Sequence, residues 1–284
     1  MTHSAKFREN AMRAVFALTA CVSIAAVVLI CVFLFASGIP TMQTVGLGKF
    51  LFGMTWAPGQ GLYGIFPMIV ASIIVTAGAI VFGVPLGLLC AVFLARFCPQ
   101  RLYRVLKPAA ELLAGIPSIV YGFFGLVVIV PLMQSLFGGS GKGMLTASIM
   151  LGIMILPTII SVSESALRAV PESYYEGALG LGATHERAVF CACLPAAESG
   201  ILAGIILGVG RAIGETMAVQ MVAGNQPVIP TNPLSGVRTL TANIVMEMGY
   251  ATDLHREALI ATAVVLFVFI LLINLCFSAL KRKE

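Results

Sequence analysis

Two charged residues, Arg211 and Glu215, stand four positions apart in the otherwise uncharged stretch from Gly200 to Val222. On insertion scales a charged side chain at membrane depth costs about 2.5–3.5 kcal/mol if it faces lipid, so both residues are expected to face protein or water. A guanidinium is planar and permanently charged, and its fork of donors matches an oxyanion. The pair therefore predicts a point at which an anion in transit binds to Arg211, while Glu215 competes with it and keeps binding reversible.

A purely structural interpretation of this pair stays open, because partners at i and i+4 can neutralise each other and merely fix helix packing. At about 100° per residue, one helical arc of about 80° holds five residues: Gly200, Gly204, Gly208, Arg211 and Glu215. Small residues four apart let another helix approach closely, so this face is predicted to pack inside the bundle or against a second membrane subunit. Thr216 joins Arg211 and Glu215 as a predicted residue of the substrate pathway.

A second group of charged residues lies in the hydrophilic segment 164–195, where it is interleaved with Ala, Leu and Val. The pattern predicts a short helix, a break at Gly182 and a second helix that ends near Pro195. A soluble partner could bind such a compact helical unit and displace it as a rigid body. A solvated helix at the membrane interface would have the same pattern, so that alternative stays open.

Membrane helices must position these residues. The chain has 284 residues, of which 59% are apolar and 10% are charged, and its mean hydropathy is +1.02. Six apolar stretches are long enough for a bilayer core, which takes about 18–20 residues, and none alternates like a barrel strand. We therefore predict an all-α polytopic membrane protein with six transmembrane helices. The stretches cover residues 14–35, 64–95, 112–137, 145–163, 200–222 and 258–280.

The cations predict how the chain is oriented. Twelve of the 17 Lys and Arg residues fall on one side of the predicted spans and four on the other, with Arg211 inside a span. By the positive-inside rule, both termini are cytoplasmic. The predicted parts are a cytoplasmic N-terminus (1–13), a first helix with its outer loop (14–63), a core of five helices (64–280) with inner loop 164–195 and periplasmic loop 223–256, and a cytoplasmic tail (281–284).

Catalysis, metal binding and nucleic-acid binding are not expected. All three histidines lie outside the predicted spans, so a Ser or Cys nucleophile within the membrane would have no His as its base. Cys191-x-Cys193 lacks the spacing and the second ligand pair of a zinc site. The glycine-rich segment Gly138 to Gly143 lacks the Ser or Thr that follows the lysine of a phosphate-binding loop. We expect no cofactor, and any ATP that drives transport would be hydrolysed by another chain.

Three segments resemble the permeases of phosphate ABC importers, and the resemblance spans most of the chain. The inner loop is similar to the EAA loop, EAA-x3-G-x9-I-x-LP: Glu176 and Gly182 are in register, and Gly177 and Ala192 depart from it. The second segment is ELLAGIPSIVYG (111–122). The third is RAIGETMAVQMVAGN (211–225), in which Met-Ala-Val after Glu-Thr and the final Gly-Asn are similar to the PstC type rather than the PstA type.

This resemblance implies a type I ABC importer permease (MetI-like) architecture and a non-catalytic subunit that moves inorganic phosphate across the inner membrane. It implies a PstA-type permease, a PstB-type ATPase dimer and a periplasmic phosphate-binding protein as partners, besides membrane lipid. It also points to Arg211 and Glu215 for phosphate passage. A PstA-type partner, a permease for another oxyanion and an ion-driven secondary transporter stay open as alternatives. Coupling to the ATPase is assigned to Glu176, Gly177, Ala178, Gly182, Leu194 and Pro195.

Overall fold

The computed structural model describes the backbone of residues 3–281 and the side chains of residues 9–276. The side chains of the predicted tail, 281–284, and of the first eight residues of the predicted N-terminus lie outside this part. Within it, the regular structure is helical apart from one short two-stranded hairpin. The predicted all-α class is therefore confirmed.

Five described helical segments are long and apolar enough to cross a membrane: Glu9–Val45, Phe66–Phe97, Ser118–Phe137, Met144–Ala169 and Asp253–Cys276. A bent pair of segments, His185–Ala196 and Glu198–Gly214, brings the number to six if it is counted as one span, and its two parts meet at 70°. The positions of these segments broadly follow the six predicted stretches, and the main differences are described below.

The chain begins with α1 (His3–Val45) and α2 (Leu47–Phe52), which are followed by a hairpin. Strand β1 (Trp56–Ala57) pairs antiparallel with β2 (Leu62–Tyr63), so that Trp56 lies opposite Tyr63. A 3₁₀ turn joins the strands, and Gly61 closes it with φ +70°, a conformation that glycine adopts without steric cost.

The next helices show that the predicted third span starts too early. Helix α3 (Phe66–Val92) ends in a π-helical turn, and α4 (Gln100–Ala114) follows it. The next span consists of α5 (Ser118–Phe124), a second π-helical turn and α6 (Val130–Phe137). The prediction began this span at residue 112, which belongs to α4. Pro117 separates the two helices, because it disfavours helical backbone in the residue before it and has no N–H to donate.

The inner loop also starts later than predicted. Helix α7 (Met144–Ala169) continues past residue 164, so the loop begins only at Val170 and Pro171. It then forms α8 (Glu172–Gly180), α9 (His185–Ala188), a π-helical turn and α10 (Leu194–Ala196). The predicted helix, break at Gly182 and second helix are therefore present in the structure.

The predicted fifth span is interrupted. Helix α11 (Glu198–Gly214) ends before Glu215, whose ψ of 131° is extended, and α12 (Met217–Val222) begins two residues later. The outer segment then contains α13 (Leu240–Met248), and α14 (Asp253–Lys281) is the last helix that the structure describes. The proline-rich start of the outer loop, residues 223–239, has no described helix, as its three prolines predict.

Helix α7 lies at the centre of the bundle, between α3 and α11. Small residues let α3 and α7 approach closely: a Cβ placed on Gly83 would lie 2.7 Å from Cγ1 of Ile155 and 3.0 Å from the carbonyl oxygen of Gly152. Helix α1 packs against α14 in the same way, with Gly38 facing Ala261 and Val264. A cluster of buried apolar residues, among them Met42, Trp56, Tyr63 and Leu259, joins this pair to the hairpin.

Candidate functional site

The break between α11 and α12 is stabilised by polar contacts that replace the missing helical hydrogen bonds. A carboxylate oxygen of Glu215 accepts the backbone N–H of Ala218 at 3.1 Å. The Oγ1 of Thr241 donates to the carbonyl oxygen of Glu215 at 3.0 Å, and the Oγ1 of Thr216 donates to that of Gly214 at 3.2 Å. Helix ends leave N–H and C=O groups unpaired, and these side chains satisfy some of them. Specific side-chain contacts therefore stabilise the interruption between α11 and α12.

The structural interpretation of Arg211 and Glu215 requires them to pair over one helical turn, and no such pair forms among the described side chains. Because α11 ends at Gly214, the two residues do not share a helix, and the Glu215 carboxylate turns to the first turn of α12. Arg211 is half-buried, and among the described side chains it has neither a hydrogen-bond partner nor an ion-pair partner. The guanidinium of Arg211 is therefore not neutralised by the carboxylate that the sequence pattern assigned to it.

One side of the Arg211 turn is open and the other is walled by α5. A Cβ placed on Gly210 or Gly214 would meet no described atom within 4 Å. On the other side, α5 contacts α12 just beyond the break. Helix α5 packs closely on α12, since a Cβ placed on Gly122 would lie 2.9 Å from the Cα of Ala218. The helix break and α5 thus border a half-open region next to Arg211.

The three glycines predicted to mediate helix packing lie against α7 of the same chain, which is one of the two predicted arrangements. Gly200 faces Ala166. A Cβ placed on Gly204 would lie 3.1 Å from Oγ of Ser163, and one placed on Gly208 would lie 3.1 Å from Cγ1 of Ile159. A second subunit is therefore not needed to explain these glycines, and it would have to approach α11 from another side.

The inner loop presents an exposed tip on a fixed base. Gly182 has φ +85° and ends the first helix of the loop, where its N–H donates to the carbonyl oxygen of Leu179 at 2.8 Å. Leu181, at the tip, is 92% exposed, the highest fraction among the described large apolar side chains. Of the residues predicted for ATPase coupling, Glu176, Gly177, Gly182 and Pro195 are exposed, and Ala178 and Leu194 are half-buried.

Aromatic and ionic contacts join this loop to the end of α3. The hydroxyl of Tyr175 and Nδ1 of His185 are hydrogen-bonded at 2.7 Å, and the His185 ring packs edge-on against Phe97. An ion pair at 2.9 Å connects Arg96 to Glu172 at the start of α8. The loop is therefore fixed to the bundle as a rigid unit, so that a displacement of the loop would also displace the membrane helices.

Sequence reasoning missed a buried ionic cluster around Glu164. Glu164 stands at the end of a predicted span, where a carboxylate can reach water, but it is only 2% exposed. Lys107 donates to it at 2.9 Å and Tyr103 at 3.0 Å, and Arg168 also pairs with it. Burial alone would lower the pKa of Lys107, but the hydrogen bond to Glu164 raises it above its usual value. The i, i+4 spacing of Tyr103 and Lys107 is the signal that could have revealed the cluster.

A second missed network ties the outer loop to the hairpin. Glu247 of α13 is buried, and it accepts hydrogen bonds from Nε1 of Trp56 at 2.8 Å and from Nη1 of Arg238 at 2.7 Å. Its carboxylate also lies 2.8 Å from Nε2 of His255. Arg238 donates in addition to the carbonyl oxygen of Asn225 at 2.9 Å, just after α12. One carboxylate thus holds together segments that are far apart in the chain.

Residues 83–283 match the model of the family described as "Binding-protein-dependent transport system inner membrane component". The chain is 39% identical to the "Probable ABC transporter permease protein YqgH" of Bacillus subtilis (strain 168), over 93% of this chain and 89% of that protein. It is 38% identical to the "Phosphate transport system permease protein PstC" of Mesorhizobium japonicum, over 84% of this chain and 80% of that protein.

Two solved structures support the fold. A chain of the MetNI methionine ABC transporter in an inward-facing conformation aligns with a TM-score of 0.59 at 21% identity, covering 81% of this chain and 99% of its own. A chain of a bacterial ABC transporter involved in alginate import aligns with a TM-score of 0.61 at 12% identity, covering 98% and 99%. At these identities the alignments concern the fold alone, and they agree with the predicted MetI-like architecture.

Together these matches confirm several predictions. The chain is a multi-pass component of the inner membrane and a subunit of an ABC importer, without catalytic activity of its own. Subunits of this kind work with an ATPase and a binding protein. The chain belongs to the family of binding-protein-dependent transport system inner membrane components and, within it, to the PstC-type permeases.

Proposed function

We propose that this chain forms, with a second permease of the PstA type, the pathway by which inorganic phosphate crosses the inner membrane. A PstB-type ATPase dimer supplies the energy from the cytoplasmic side, and a periplasmic phosphate-binding protein delivers the substrate. The names of the relatives suggest the substrate. The residues around the helix break supply the physical reason why an anion would pass here.

The free guanidinium of Arg211 is the observation that carries this proposal. It lies in a membrane helix, half-buried, with no described ion-pair partner, and it is next to open space at Gly210 and Gly214. An unpaired cation in such a place is costly unless something compensates its charge at least part of the time. Phosphate does so with two parallel hydrogen bonds, a geometry that Arg matches and Lys does not.

Glu215 and Thr216 act at the same break in different ways. Glu215 accepts the N–H of Ala218 and thereby caps the first turn of α12, so it stabilises the break that follows α11 rather than pairing with Arg211. Thr216 holds its hydroxyl on the carbonyl oxygen of Gly214 at 3.2 Å, a long bond that it can exchange for a phosphate oxygen. Both residues therefore remain in the proposed pathway: Glu215 stabilises the helix break, and Thr216 contacts the phosphate.

The inner loop is the proposed docking point of the ATPase. Its exposed tip offers one large apolar anchor, Leu181, beside the left-handed Gly182. Burial of this side chain in a pocket of the partner would remove its apolar surface from water. The remaining coupling residues shape the body around the tip: Glu176, Gly177, Ala178, Leu194 and Pro195.

Phosphate uptake by the complete transporter tests the proposal. In proteoliposomes, Arg211→Gln is expected to reduce uptake about tenfold to a hundredfold, since a hydrogen bond to a charged group contributes about 1.5–3 kcal/mol. Arg211→Lys is expected to be intermediate, because it keeps the charge and loses the fork. Arg256 is an exposed arginine in the first turn of α14, so Arg256→Gln is the matched control and should transport normally.

Unchanged uptake by Arg211→Gln in a normally assembled complex would rule out the anion role. Competition experiments with sulfate and molybdate address the substrate separately. If either anion is taken up as fast as phosphate while Arg211→Gln abolishes both, the chain conducts oxyanions generally and the phosphate assignment fails.

A further inference from the structure

Glu164 is the most deeply buried charged residue among the described side chains, and its partners come from two helices. Tyr103 and Lys107 reach it from α4, and Arg168 reaches it from the next turn of α7. Lys107 also lies 3.3 Å from the hydroxyl of Ser161. The carboxylate therefore joins α4 to α7 through two direct hydrogen bonds.

Helix α4 depends on this contact for its position. All of its residues are described, and none of them is buried. Its apolar side is turned outward, with Val105 65% and Leu112 74% exposed, so apolar packing does not hold it on the bundle. Tyr103 and Lys107, four residues apart, form the side that faces α7. The position of α4 relative to α7 is therefore set mainly by Glu164.

The two helices joined by Glu164 lead to the two proposed functional regions. The last turn of α7 passes through Val170 and Pro171 directly into α8, the first helix of the inner loop. Helix α4 leads into α5, and the hydroxyl of Tyr121 ties the two together by donating to the carbonyl oxygen of Leu113 at 2.8 Å. Helix α5 in turn packs through Gly122 on α12, which begins at the helix break.

We propose that Glu164 is a positioning residue that transmits displacement of the inner loop to α4, and from there through α5 to the helix break beside Arg211. This inference rests on the proposed docking of an ATPase on the inner loop. A buried carboxylate resists separation from its cationic partners, because each charge left unpaired in a medium of low dielectric is strongly destabilised. The cluster therefore moves as one unit, and α4 follows the end of α7.

The test measures phosphate transported per ATP hydrolysed by the complete transporter in proteoliposomes. Glu164→Gln keeps the shape of the side chain and removes its charge, so we expect ATP hydrolysis to continue while this ratio falls at least threefold. Glu164→Asp, which keeps the charge, should recover part of the loss. Glu111→Gln is the matched control, because Glu111 contacts the same Lys107 at 3.4 Å but is 56% exposed and belongs to α4 itself. It should keep the normal ratio.

Each outcome supports or overturns the inference. If uptake and ATP hydrolysis fall in parallel at an unchanged ratio, the role of Glu164 is only structural. If Glu164→Gln does not assemble, Tyr103→Phe and Lys107→Gln each remove one hydrogen bond to Glu164, and a normal ratio in both overturns the proposal.

A parallel variant, Glu176→Ala in the inner loop, distinguishes failure of docking on the loop from failure of transmission through Glu164. If it uncouples transport and Glu164→Gln does not, transmission through Glu164 fails and docking on the loop stands, whereas normal ratios in both mean that docking fails too.

Discussion

Two glycines on the same helix, Gly208 and Gly210, are expected to respond oppositely to the same substitution. At Gly208 a Cβ would lie 3.1 Å from Cγ1 of Ile159, which is tighter than ordinary van der Waals contact, whereas at Gly210 it would meet no described atom within 4 Å. Valine at position 208 overpacks the contact between α11 and α7, and overpacking costs about 1–3 kcal/mol. Valine at position 210 brings no such cost in the isolated chain, and replacing glycine in a helix is mildly favourable.

Thermal unfolding of the purified chain in detergent distinguishes the two variants. For a chain of this length about 1 kcal/mol corresponds to roughly 2–4 °C, so Gly208→Val should lower the Tm by about 2–12 °C and Gly210→Val should leave it unchanged or raise it. In the complete transporter, Gly210→Val should instead reduce phosphate uptake, because it fills the space beside Arg211. Equal melting temperatures of wild type and Gly208→Val would contradict the packing of α11 on α7.

Two further changes address the missed polar clusters. Glu247→Ala leaves Trp56, Arg238 and His255 without their shared acceptor, and loss of one partner from a buried ionic group costs about 3–5 kcal/mol. Trp56 is the only tryptophan in the chain, so a red shift of its emission together with a lower Tm would report this loss directly, and unchanged emission would contradict it. Lys107 has a raised pKa in the folded state, so its contribution to stability is present below pH 10.5 and is lost as the pH rises beyond it. The difference in unfolding free energy between wild type and Lys107→Met should therefore stay constant from pH 7 to about pH 9 and shrink above about pH 10.5; a difference that already shrinks below pH 9 would contradict the raised pKa.

Hydropathy and motif spacing predicted the membrane class and most of the helices, because these depend on local composition. The helix break at Gly182 was also predictable, since a left-handed residue after a short helix favours glycine. The ends predicted for some of the helices were wrong. Helix α7 runs on to Ala169 because Glu164, which marked the predicted end of that span, is paired inside the bundle and not exposed to water.

The residues of the candidate site stay a prediction, and the unbroken helix that was assumed to carry them is wrong. A helical projection placed Arg211 and Glu215 on one face, and it assumed an unbroken helix. No proline stands at the break to signal it. Thr241, which donates to the carbonyl oxygen of Glu215, is 26 positions away in the chain, so a local pattern could not reveal the contact.

The amino-acid order alone suffices for the class of the protein, the family resemblance and the identity of its unusual intramembrane arginine, because hydropathy, charge and motif spacing are readable along the chain. Which charges are paired is decided only when the helices pack. Glu247 meets Trp56 across 191 positions, and Glu164 meets Lys107 across 57. Whether a carboxylate is buried with partners or open to water depends on such distant contacts, and so does the unpaired state of Arg211.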